Sequence, residues 1–170
     1  MSAELLLLRI VHVLGAVIWA GTSIFIAFFL SPALGTVGPA AGPIMGALYK
    51  RKLFTIIPAV AVAMMLAGLR LMMIVSAGFS PSYFATRSGQ IYLIGAAGAL
   101  IAFALFMLIS HPAIMRTMQL GQQMAQAPEA ERGALIAQMN ALRTKGGNAS
   151  RASAIVLIVT AIAMAVGRYV

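Results

Sequence analysis

The chain has 170 residues, of which 62% are hydrophobic and only 9% charged, and its mean hydropathy is +0.99. A soluble domain carries about 25% charged residues, so this chain cannot cover a water-facing surface and its natural solvent is lipid. The absence of cysteine excludes disulfides, thiolate metal sites, Fe–S clusters and covalently attached haem, and the net charge of +9 comes without the exposed aromatic–basic platform that nucleic-acid binding would need.

A spanning helix needs roughly 20 apolar residues, and four apolar segments meet that need or approach it. The first runs over about 5–30. Glu4 precedes it and the run continues too far for a cleaved signal, so it is expected to remain as a helix. Ser31-Pro32 and the Gly/Pro-rich stretch from Gly35 to Gly46 are expected to end it. After Lys50-Arg51-Lys52 the second segment runs over about 53–77, with Pro58 inside its first turns. A polar loop from Gly78 to Gly89 leads to the third, about 90–110. The fourth, about 152–167, is the shortest.

Between the third and fourth segments lies a polar insertion, about 112–150, that is expected to be helical, either as a hairpin or as extensions of the membrane helices outside the bilayer. Pro112 can open a helix continuing through Ala125. Pro128 with Glu129 and Glu131 has the form of another helix start, with acids near the positive end of the dipole. Leu135, Met139 and Leu142 then recur on one helical face. Lys145 to Ser150, with two glycines, reads as a flexible return. The fold class is therefore all-α: a single polytopic membrane domain, a four-transmembrane-helix bundle with a helical cytoplasmic loop between helices three and four.

The cations set the orientation. Lys50, Arg51 and Lys52 fall in the first loop, and Arg116, Arg132, Arg143, Lys145 and Arg151 in the third. The other side holds only Arg9, Arg70, Arg87 and Arg168. The cation-rich side is expected in the cytoplasm, with both termini outside, in a bacterial cytoplasmic (inner) membrane.

Ionisable groups in lipid are costly and point to function. His12 lies roughly 10 Å below the outer end of the first helix. Arg70 is at a similar depth, and Arg168 sits at the outer end of the fourth. A neutral imidazole in an apolar bundle suits a haem iron, and arginines at the rim suit its propionates. The alternative is a histidine hydrogen-bonded to a neighbouring helix beside arginines that snorkel to the headgroups. His111 belongs at the inner end of the third helix, roughly 20 Å from His12 in depth, so the two cannot share one iron. Met72, Met73, Gln90, Tyr92 and Met164 are the outer-half candidates for a second ligand. His111, Met115 and Met118 share a helical face, and thioether with imidazole suits Cu(I); packing is the alternative for these flexible side chains. Trp19, near mid-helix beside Gly15, Ala16, Ala20 and Gly21, either fills space or stacks on a flat cofactor. No Asp occurs and the three Glu lie outside the apolar spans, which leaves redox, binding or scaffolding rather than carboxylate chemistry.

The stretch His12-Val-Leu to Trp19-Ala-Gly21, with Pro32-Ala-Leu34, resembles the first helix of the HemJ and CopD group of membrane proteins. Lys50-Arg51-Lys52-Leu53-Phe54, with Pro58 and Gly68, resembles the start of their second helix. Met164-Ala-Val-Gly-Arg168-Tyr169 is similar to last helices of uncharacterised relatives. The resemblance implies a four-helix scaffold and haem b on His12, with Arg70, Trp19 and Arg168 around it. HemJ proteins oxidise protoporphyrinogen using also a lysine at the start of helix three, where this chain has Ser88-Gly89-Gln90-Ile91-Tyr92. The CopD side implies copper handling, though its extra outward-facing histidines are missing here. Three functions are carried forward: a haem b protein for electron transfer or a related oxidation, a non-catalytic accessory subunit of a larger membrane complex, and a copper-binding or transport protein. Expected partners are the lipid bilayer and other membrane subunits or further copies of the chain.

Overall fold

The computed structural model describes residues 2–170, the side chain of Pro39 apart. Its elements are helical, with no strand among the described residues. Four helices are long and apolar enough to cross a membrane: α1 (Ala3–Thr36), α3 (Leu53–Val75), α4 (Arg87–Met124) and α5 (Glu129–Val166). A shorter helix, α2 (Ala41–Lys50), joins α1 to α3. The chain is an all-helical bundle of the multi-pass membrane kind. We refer to the end carrying Lys50–Lys52 and the α4–α5 turn as the basic end.

Three of these helices exceed what a bilayer needs. At 1.5 Å per residue, the 38 residues of α5 span about 57 Å, against a hydrocarbon core of about 30 Å. The excess of α4 and α5 forms a helical hairpin at the basic end. Glu129 and Glu131 open α5 after Pro128, and Arg132 bonds Glu129 at 2.8 Å. Met139 and Leu120 are buried in the hairpin seam.

The expected end of the first helix at Ser31-Pro32 is not an end, and the third helix extends beyond its apolar span. The chain passes through Ser31-Pro32 and through His111-Pro112 without leaving the helix. In each case a π-turn comes directly before, at Ile26–Leu30 and at Phe106–Ser110. Proline has no N–H and its ring crowds the carbonyl four residues back. One extra residue in the preceding turn relieves that crowding while the helix continues. Likewise Lys145 to Ser150 is not a flexible return but the middle of α5. Glycine disfavours a helix interior by about 1 kcal/mol, and packing overrides it here. A Cβ on Gly146 would lie 2.9 Å from the Cβ of Ala113, and Ser110 Oγ donates to the Gly146 carbonyl at 3.2 Å. The helix that carries the fourth apolar segment therefore begins at Glu129.

The helices pair as α1 with α3 and α4 with α5. Glycine on one helix receives a side chain from the other: Gly15 faces Met64, Gly68 faces His12, Gly95 faces Met164, and Gly98 faces Thr160. Such close approach is how membrane helices gain packing where no hydrophobic force drives them together. The pairs meet at a core of Trp19, Ala61, Met64, Ala99, Ala102 and Leu157, and Ser153 Oγ donates to the Ala102 carbonyl at 2.9 Å.

At the end opposite the basic one, α3 closes with a Schellman arrangement. The Gly78 N–H reaches the Met73 carbonyl at 2.8 Å and the Ala77 N–H reaches that of Ile74 at 3.3 Å. Ala77 holds φ +51°, the left-handed position where glycine is the usual occupant.

Candidate functional site

His12 projects from the inner face of α1 onto α3. Its Nδ1 lies 3.0 Å from the Met64 carbonyl oxygen. A carbonyl only accepts, so Nδ1 carries the proton and, in the neutral ring, Nε2 keeps a lone pair. The slot for the ring exists because residue 68 is glycine. A Cβ there would stand 2.6 Å from His12 Cε1 and 2.8 Å from Nδ1. The imidazole is half-buried.

The other residues expected around a haem have partners of their own. Arg70 reaches back to α1, with Nη2 2.7 Å and Nε 2.8 Å from Glu4 Oε1, and its Nη1 lies 4.0 Å from the Met73 sulfur. Arg168 sits 4.8 Å above the Tyr169 ring. Trp19 is 2% exposed and meets Phe103 edge-on at 6.2 Å, the space-filling alternative. Gly15 contributes to the small-residue surface, whereas a Cβ on Gly21 would meet nothing within 4 Å. Tyr92 and Met164 are taken up in the α4–α5 seam, against Gly167 and Gly95, and Gln90 is exposed. Met72 lies one helical turn beyond Gly68, which puts it on the His12 face of α3.

His111 belongs to a different level. It follows the second π-turn, with its ring 6.0 Å from that of Phe106, two residues before the Ala113 that abuts Gly146. Met115 and Met118 are half-buried on the same helix. Among the described residues no three His, Cys, Asp or Glu side chains converge on one point.

Three features of the site lie beyond the sequence pattern. The Glu4–Arg70 pair joins residues far apart in the chain. Gly68 as the His12 slot had a signal, a lone glycine in an apolar helix. The third is a cavity of about 860 Å³ at the basic end. The residues after both π-turns border it, Ser31 and Leu34 on α1 and Ala113 and Ile114 on α4, together with α2 and Arg143 of α5. Two prolines at matching places, each in an apolar run followed by more helix, were its signal.

Fold and site together define a multi-pass helical membrane protein with one histidine tautomer held by a backbone carbonyl. Comparison with family models, curated proteins and solved structures finds no match to the chain.

Proposed function

We propose that this is a haem b protein of a HemJ/CopD-like kind, in which His12 Nε2 would hold the haem iron and the role is electron transfer or a related oxidation. We place it in a bacterial cytoplasmic membrane, basic end inward and both termini outside, following the cation asymmetry. One observation carries the reading: His12 Nδ1 bonds the Met64 carbonyl, as a purely structural histidine would too, and leaves the lone pair of Nε2 for a ligand. Metal-ligating histidines almost always donate their other ring N–H to such a group, which fixes the tautomer and raises ligand basicity. Gly68 leaves room for the ring to take that pose. A bound haem would supply a one-electron iron couple. The chain's own part is to orient the imidazole through the Met64 carbonyl and to present Met72 from the same face of α3.

Arg70 and Arg168 are not needed in this reading, since each has a partner within the chain. The test is an oxidised and reduced absorption spectrum of detergent-purified protein expressed with haem supplied. The expected result is a Soret peak with sharp reduced bands, lost in His12→Ala and kept in Arg70→Gln and Arg168→Gln. A featureless wild-type spectrum overturns the reading in favour of an accessory subunit.

A further inference from the structure

The cavity at the basic end is bounded by groups of two kinds, arranged by depth. Toward the bundle centre its walls are Leu30, Ile57, Phe106 and Ser153. Toward the basic end they are Gln122 and Arg143. Ser153 and Arg143 stand ten residues apart on α5, about 15 Å of helix rise, comparable with one leaflet of a hydrocarbon core of about 30 Å. The space is thus apolar at acyl-chain depth and cationic at headgroup depth. A water-soluble metabolite would leave the apolar part unfilled, and a hydrocarbon would leave Arg143 without a counter-charge.

No carboxylate side chain is paired with Arg143 among the described residues, and Glu131 stands twelve residues from it on α5, about 18 Å of helix rise. The three carboxylates are Glu4, Glu129 and Glu131. Glu4 is held by Arg70 and Glu129 by Arg132. The run Lys50-Arg51-Lys52 lies between Leu48 and Leu53, both of which border the same cavity. Basic pockets between membrane helices at this level bind anionic head groups, and the volume of about 860 Å³ is within the roughly 300–1,000 Å³ of small-molecule sites.

We infer that the cavity binds an anionic phospholipid of the adjoining leaflet, with phosphate at Arg143 and acyl chain against Leu30, Ile57 and Phe106. The segments that follow the two proline-linked π-turns line the space, through Ser31 and Leu34 on α1 and Ala113 and Ile114 on α4.

The test uses the full chain in bilayers of equimolar phosphatidylglycerol and phosphatidylcholine with matched acyl chains, extracted and weighed by native mass spectrometry. The expected result is one retained phospholipid per chain, with phosphatidylglycerol enriched about tenfold. Arg143→Gln should cut that enrichment roughly fivefold. Gly121→Leu should lose retention of both lipids, because residue 121 borders the cavity and its Cβ would meet only the Met139 methyl at 3.9 Å; unchanged helicity by circular dichroism shows that it folds. Equal retention of the two lipids by wild type overturns the inference. So does retention that survives Gly121→Leu, or an adduct with the mass of a free fatty acid. Enrichment that survives Arg143→Gln but is lost when Lys50, Arg51 and Lys52 become glutamine means lipid held only at the outer surface, and also overturns it.

Discussion

Glycine does opposite work at the two ends of this bundle. Away from the basic end, Gly15, Gly68 and Gly95 each sit where a Cβ would fall within 3 Å of a neighbouring side chain. There the missing carbon is space already filled, by Met64, His12 and Met164. At the basic end, Gly42 and Gly46 have nothing within 4 Å of where a Cβ would be, and Gly121 only a methionine methyl; all three border the cavity. The same residue type closes one half and leaves the other open. The filled glycines lie in helix–helix seams, whereas Gly121 lies beyond the π-turn of α4 and Gly42 and Gly46 belong to the short helix α2. The difference also separates two kinds of site, a single ring held in one pose at the closed half and a broad amphiphilic space at the open half.

The sharpest way to break this comparison is at Gly146, which borders the cavity yet belongs to the tight α4–α5 seam. Gly146→Leu should destabilise by about 3 kcal/mol, the upper range of overpacking, because Ala113 is carried on a helix that cannot step aside. Unfolding in mixed detergent micelles reads this, and a neutral result would mean that the seam is as loose as the cavity beside it. A smaller effect of opposite sign is expected at the closed end. Ala77→Gly should stabilise by about 1 kcal/mol, by removing the left-handed penalty at φ +51°, and the same titration measures it. Smallest is Ser153→Ala, which removes the bond to the Ala102 carbonyl where the halves meet. Hydrogen bonds between membrane helices average about 0.6 kcal/mol, so a loss above about 2 kcal/mol would show that this contact, rather than glycine packing, holds α4 to α5.

Much of the architecture was legible because lipid imposes simple rules. Apolar runs long enough to span showed the four helices, and Pro128, the two acids after it and the Leu135, Met139, Leu142 stripe showed the hairpin. The reading failed where a local stop signal was overruled at a distance. Ser31-Pro32 would end a helix in isolation, but in lipid an unpaired backbone is costly and a π-turn keeps the ladder going, as the second π-turn does where α4 runs on through His111-Pro112. Gly146-Gly147 suggests a turn until Ala113 is known to be opposite. The His12 contact with a neighbouring helix was one of two alternatives readable from the residue alone; its geometry, Met64 carbonyl on one side and Gly68 opposite, depended on which faces of α1 and α3 meet. Arg70 shows the same limit, since its partner Glu4 is distant in the chain and lies in what reads as a terminus.

The most direct test of the closed and open halves is a paired measurement of unfolding midpoints for Gly68→Leu and Gly121→Leu in the same micelles. A Cβ at residue 68 collides with the His12 ring, whereas one at residue 121 enters free space. The account predicts a loss of about 1–3 kcal/mol for the first, and for the second no loss or a gain of up to about 1 kcal/mol from better helix propensity. Equal losses at the two positions, or a larger one at Gly121, would contradict it.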